Sequence, residues 1–220
     1  MFTYNVAKLC RSTTIMEKKF DMPHLQHLAQ DAKLAPLLET LQPYELEKKT
    51  NTCLRLCASI MSQQLSTKVA AVIYNRFLGL YEGGNPTPVQ IIETPFETLR
   101  AIGLSNAKVN YVQNVAQHFL EKKATDESVN GMSDTEVVEF LLPIKGVGRW
   151  TIEMLLMFTL GREDIFAVDD LGIQQAMAKI YNLDSTNKKA FKQQMIDISA
   201  TWAPYRTYAC FYLWKFKDSK

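Results

Sequence analysis

The chain has 220 residues, an apolar fraction of 47% and charged residues at 22%, with a formal net charge of +2. That supplies a core and excludes both a polycation and a charged disordered chain, so net charge by itself names no partner. No run of 18 apolar residues is present and the N-terminus lacks the apolar core of a signal peptide. A soluble protein with no membrane partner is therefore expected, nuclear in a eukaryote and otherwise cytoplasmic.

In chain order the patterning is helical almost throughout, and no alternating strand pattern, internal repeat or low-complexity tract interrupts it. Residues 1–20 are weakly patterned. Leu25, Leu28, Leu34, Leu37, Leu38 and Leu41 recur at helical spacing, and Pro43 ends that run. Cys53, Leu56, Cys57, Ile60, Met61 and Leu65 form an apolar stripe, and Val69, Val72, Ile73, Phe77 and Leu80 form the next. Gly83-Gly84-Asn85-Pro86-Thr87-Pro88 is the strongest loop signal. Thr94-Pro95-Phe96-Glu97 opens a short helix with Thr94 at N-cap and Pro95 at N1. Ser105 begins another, carrying Val109, Val112, Val115 and Ala116. The fold class is all-α.

Ser133-Asp134-Thr135-Glu136 reads as a capping box, and Val137, Val138, Phe140 and Leu141 follow as a short helix. Pro143 closes it by disfavouring helical geometry at Leu142. After Lys145-Gly146-Val147-Gly148-Arg149, the residues Ile152, Leu155, Leu156 and Leu160 form a second helix, with Gly161 suited to its C-terminal cap. Gly146 and Gly148 can take angles closed to other residues and leave the new helix's amides open to an anion, with Lys145 and Arg149 beside them. A plain helical corner that happens to contain glycines has the same local pattern. About twenty residues on, Val168-Asp169-Asp170 places carboxylates at the start of a third helix.

Cys53 and Cys57 read as core. Cys10 and Cys210 stand alone, so with no C-x-x-C pair no metal site is expected, and free thiols suit a reducing compartment. From Leu171 to Lys220 the chain carries eight Lys and Arg against three Asp, which suits either an edge for an anionic partner or a solvated helix surface.

At these residues the chain resembles a known family. Leu142-Pro143-Ile144-Lys145-Gly146-Val147-Gly148-Arg149-Trp150-Thr151, followed by Val168-Asp169-Asp170, is similar to the helix-hairpin-helix (HhH-GPD) DNA glycosylases, above all to their alkylpurine (3-methyladenine) branch. Ser59-Ile60-Met61-Ser62-Gln63-Gln64-Leu65-Ser66 resembles the family's minor-groove segment. Gly103-Leu104-Ser105-Asn106-Ala107-Lys108 matches its G-L-S-x-x-K pattern, and Trp202 to Trp214 resembles the C-terminal helix of the alkylpurine branch. These stretches span roughly residues 20 to 216.

The resemblance implies two helical subdomains with the active site in the cleft between them. A middle domain over 50–160 ends in the helix-hairpin-helix (133–160), and 1–49 together with 161–220 forms the second. The extra N-terminal β-rich domain of some bacterial relatives is not expected. The implied partner is double-stranded DNA containing alkylated bases, bound by a monomer that flips the damaged nucleotide out of the stack. Gln64 is the implied wedge, with Gln63 as the neighbouring choice. Ser66, Lys145, Gly146, Val147, Gly148, Arg149 and Arg206 complete the DNA-binding set.

Asp170 is the implied catalytic carboxylate, stabilising a sugar that resembles an oxocarbenium ion and activating water, while Asp169 serves as a helix cap. Bifunctional members carry a lysine where this chain has Trp150, so a monofunctional hydrolase without lyase activity is implied. Trp150, Met154 and Trp214 are the base-pocket candidates, because aromatic faces attract cationic methylpurines. Tyr205 and Tyr208 are further candidates that, judged alone, read as core. The family's iron–sulfur cysteines are missing, so no cofactor is expected beyond a monovalent cation at the hairpin carbonyls. The alternative is a non-catalytic helix-hairpin-helix protein that binds damaged DNA, which would need no carboxylate. A mismatch adenine or thymine glycosylase is a weaker one.

Overall fold

Helices supply all the regular structure of the computed structural model over the residues it describes, 22–219, and no strand occurs among them. The all-α expectation holds. Cys10 and the other residues before Met22 lie outside the described part.

The chain divides into two units, one from Glu47 to Arg162 and one combining the residues up to Leu46 with those from Glu163 onward. In the second of these, α1 (Pro23–Leu28) and α2 (Ala35–Thr40) precede the break, and α11 (Leu171–Tyr181), α12 (Lys188–Ala200) and α13 (Arg206–Asp218) follow it. Helix α13 packs on α11 and α2. Asp31 organises this unit, accepting from the Trp202 indole at 2.9 Å and the Tyr181 hydroxyl at 2.7 Å. Trp202 is buried, so its N–H needs that partner.

The Glu47–Arg162 unit holds α3 (Thr52–Ser62), α4 (Thr67–Leu78), α5 (Pro88–Glu93), α6 (Phe96–Ala101), α7 (Asn106–Glu121), α8 (Asp126–Asn130), α9 (Asp134–Leu141) and α10 (Arg149–Phe158). Helix α3 is its centre, packed on α4, α7 and α10. The predicted stripe explains why: Leu56, Cys57, Ile60 and Met61 are fully buried, each large apolar side chain worth about 2 kcal/mol of transfer free energy.

Four local expectations need correction. The loop at 83–88 ends early, because Thr87 makes a capping box with Gln90 and Pro88 takes N1 of α5. Thr94 therefore ends α5, and Pro95 takes the N-cap of α6. In the α4 stripe only Ile73 and Phe77 are buried, while Val69 and Val72 are 46% and 44% exposed. Helix α9 ends at Leu141 as its sequence predicts, but Leu142 keeps helical angles (φ −60°, ψ −30°). What stops the helix is the N–H that Pro143 lacks.

Helix α3 is clamped at its start by Asp126. The carboxylate accepts from the backbone N–H of Asn51 (2.6 Å), the N–H of Thr52 (2.7 Å) and the Thr52 hydroxyl (2.7 Å). Burial alone would raise its pKa, but these donors outweigh burial and hold it below the ordinary carboxylate value. Asp126→Ala is therefore expected to lower the unfolding free energy by about 1–2 kcal/mol at neutral pH. A depressed carboxylate stabilises the fold above the unfolded-state value, near 4, and ceases to do so as pH falls through its folded value. The deficit of the variant, followed by thermal unfolding, should shrink towards pH 3; a constant deficit would show that the charge is not what clamps α3.

Candidate active site

The hairpin between α9 and α10 is built around two differently used glycines. Gly146 has φ +103°, and a Cβ there would lie 2.2 Å from Tyr111 Cγ, so the turn requires glycine twice over. Gly148 is different: its φ of −103° and ψ of 168° suit any residue, and a Cβ would meet nothing within 4 Å. That corrects the expectation that both need special angles. Gly148 is the N-cap of α10 and supplies no side-chain hydrogen bond to the first-turn amides. Ile144 and Val147 are buried, and the Val147 N–H donates to Ile144 O at 3.0 Å, so Val147 anchors the turn instead of offering a side chain to a ligand. Lys145 is exposed. Arg149 pairs with Glu153 at 3.2 Å while its side chain stays 65% exposed.

The segment after α3 makes a tight turn. Gln63 has φ −51° and ψ 132°, Gln64 has φ +60°, and the Leu65 N–H donates to Ser62 O at 3.1 Å. These are the angles and hydrogen bond of a type II turn, whose third residue is normally glycine. A glutamine in that position costs about 1 kcal/mol of backbone strain. The two glutamines are thereby told apart. Gln63 is half-buried and donates its amide to the Thr151 hydroxyl at 3.2 Å, whereas the Gln64 side chain is exposed. Ser66 caps α4 by accepting from the Val69 N–H.

The carboxylates at 169–170 also separate. Asp170, not Asp169, is the N-cap of α11: its Oδ1 accepts from the Ile173 N–H at 2.9 Å and from the Trp214 indole at 2.8 Å. Asp169 pairs with Lys192 at 2.7 Å on the surface, which corrects its expected capping role. Gly172, absent from the candidates that the sequence suggests, makes room for this contact. A Cβ there would stand 3.1 Å from both Asp170 Oδ1 and Trp214 Cδ1. A glycine in the first turn of a helix is the signal that could have revealed it.

Arg206, expected in the DNA-binding set, pairs with a carboxylate of its own unit. Its Nε and Nη2 lie 2.7 and 2.8 Å from the two oxygens of Asp164, a bidentate pair that holds the Asp164 carboxyl below the ordinary range. Tyr208 and Tyr205 surround His24: Tyr208 stacks on the imidazole with centroids 3.8 Å apart and donates its hydroxyl to Glu163 at 2.9 Å.

Met154 lines a recess of about 300 Å³ in the Glu47–Arg162 unit. Its lining combines polar and basic residues (Lys49, Arg55, Ser59, Ser62) with apolar ones (Met154, Phe158). Trp150 lies in the first turn of α10, one turn before Met154, and is 41% exposed, but does not line the recess. Trp214 belongs to the other unit, with Asp170.

Comparison with known proteins gives a consistent picture. The sequence profile described as HhH-GPD superfamily base excision DNA repair protein matches residues 57–199. DNA-3-methyladenine glycosylase 1 of Schizosaccharomyces pombe is 35% identical over 195 residues, covering 87% of this chain and 84% of that one. The crystal structure of a DNA-3-methyladenine glycosidase from Bacillus halodurans superposes with a TM-score of 0.79 at 36% identity, over 90% of this chain and 91% of that one. A 3-methyladenine DNA glycosylase of S. pombe, in complex with abasic DNA, superposes with a TM-score of 0.76 at 34% identity, over 88% and 96%.

Proposed function

The chain belongs to the HhH-GPD superfamily of base excision DNA repair proteins, and on that premise we propose that it is a monofunctional DNA glycosylase. It flips alkylated purines (3-methyladenine and 7-methylguanine) out of duplex DNA and hydrolyses their N-glycosidic bond, starting base excision repair and leaving an abasic site. The observation that carries this reading is Asp170: a carboxylate held from two sides, by the Ile173 N–H and the Trp214 indole, at the N-terminus of a helix. A protein that only binds damaged DNA would need this carboxylate for nothing beyond its helix cap, and the relatives named as glycosylases make that reading the weaker one.

Each part then has a physical task. The N-terminus of α10, with Lys145 and Arg149, holds the DNA backbone. Gln64 enters the duplex and fills the gap left by the flipped nucleotide. Met154, at the recess, contributes apolar surface to the base, while Lys49 and Arg55 draw the flanking phosphates. Trp150 and Trp214 offer faces to a cationic methylpurine, worth about 1–2 kcal/mol once desolvated. The positive base is a good leaving group, and Asp170 stabilises the sugar cation and orients the attacking water. With Trp150 where a bifunctional enzyme has lysine, no amine stands at that position to attack the sugar.

No cofactor enters this chemistry. The Ile144 and Lys145 carbonyls each accept one hydrogen bond, from Val147 N and Asn114 Nδ2, which leaves each a second lone pair for a monovalent cation. Such an ion would add positive charge beside the DNA backbone.

Incubating the protein with methylated duplex DNA and resolving the released bases by chromatography tests the reading. Free 3-methyladenine and 7-methylguanine are expected, with the strand left uncut and no borohydride-trapped adduct. Tight binding of damaged duplex with no base released would favour the binding protein instead.

A further inference from the structure

The G-L-S-x-x-K stretch ends in a lysine to which the preceding chemistry assigns nothing. Lys108 lies in the first turn of α7, the end of a helix where a positive charge is least favourable. Its ammonium does not serve that helix. Nζ donates to Met61 O at 2.9 Å and to Gln63 O at 2.6 Å. Both carbonyls stand at the C-terminus of α3, beyond the reach of intrahelical N–H groups, where a cation is most favourable.

The Gln63 carbonyl matters because it shares a peptide plane with the Gln64 nitrogen. Anchoring that oxygen fixes the tilt of the plane, and so the direction in which the Gln64 side chain leaves the backbone. The anchored residue is the one with φ +60° in a position where glycine is usual. Left to itself, a glutamine there would relax to an ordinary conformation and carry its side chain elsewhere. Gln63 is tied separately, by its amide to Thr151, so the residue before the strained one is held at both its carbonyl and its side chain.

We propose that Lys108 is a positioning residue for base flipping: its ammonium presents Gln64 to the duplex by locking the Gln63 carbonyl. The inference rests on Gln64 being the wedge, as proposed above.

The test is a double-mutant cycle on single-turnover release of 7-methylguanine from duplex DNA, with 2-aminopurine beside the lesion to report unstacking. Lys108→Met is expected to slow release by about tenfold, the scale of a lost charge-assisted hydrogen bond, and to diminish the fluorescence gain at saturating protein. Gln64→Ala should do the same, and the double variant should be no slower than Gln64→Ala alone. Lys108→Arg, which keeps the charge and donors, should recover much of the rate. If Lys108→Met does not fold, Lys108→Gln carries the same cycle. Equal slowing by the lysine variant with or without Gln64 would overturn the proposal, because Lys108 would then act elsewhere. So would a normal rate for Lys108→Met beside a slow Gln64→Ala, though the wedge would survive. A normal rate for Gln64→Ala would instead sink the wedge, and the inference with it.

Discussion

Asp170→Asn is expected to lower base release by about a thousandfold or more while leaving the fold and the binding of damaged duplex intact. The expectation is unusually clean because of how Asp170 is held. Its Oδ1 accepts both from the Ile173 N–H and from the Trp214 indole, and an asparagine oxygen can accept from both in the same place. The helix cap and the indole contact therefore survive, while the negative charge proposed to face the developing sugar cation is lost. Asp170→Ala removes the acceptor as well and should cost a further ~1 kcal/mol of stability through the lost cap. Asp169→Asn is the control. It breaks a surface pair with Lys192 worth about 0–1 kcal/mol and should leave the rate alone. If Asp170→Asn released bases at the native rate, or if Asp169→Asn stopped release, the carboxylate would be wrongly assigned.

The second large effect separates the two hairpin glycines. Gly146→Ala forces an L-residue to φ +103° and drives a Cβ to 2.2 Å from Tyr111 Cγ and 2.6 Å from Tyr111 Cβ. The ring cannot swing away freely, because its own Cβ is fixed to the backbone of α7. Strain and overpacking together should cost about 3 kcal/mol or more. For a chain of this size that lowers the melting temperature by about 10 °C. Duplex binding should fall with it, since the turn that aims the α10 amides is displaced. Gly148→Ala meets open space at an ordinary φ and should change stability by less than about 0.5 kcal/mol. Its methyl group would nevertheless stand where a phosphate must approach, so affinity for duplex should fall while the melting temperature holds. Unchanged affinity in Gly148→Ala would mean that the backbone is gripped somewhere other than the amides of α10.

The elements and the chemistry were legible in the sequence wherever the deciding terms are local. A capping box spans four residues, and Ser133 and Glu136 form one as written. A helical stripe repeats every turn, and Cys53, Leu56, Cys57, Ile60 and Met61 are buried as spaced. The run of a proline, two glycines and a pair of aspartates at set distances was enough to indicate the family.

Tertiary packing decided the rest, because the partners lie far apart in the chain. Periodicity put Val69 and Val72 on an apolar stripe but could not say that no other helix covers them. Lys108 finds its carbonyls 45 and 47 residues away, and Trp214 finds Asp170 across 44. Arg206 pairs with an aspartate 42 residues distant. Asp169 and Asp170 are adjacent and identical in type, yet one caps a helix under an indole while the other meets a surface lysine. The family resemblance already points to Asp170, but only the register of α11, and what packs against it, decides how each is held. The sequence by itself determined which helices form and which residue types the chemistry has available. Packing determined which carboxylate is held in place, which glycine is obligatory and which glutamine is free to reach out, because those choices depend on contacts that no local pattern records.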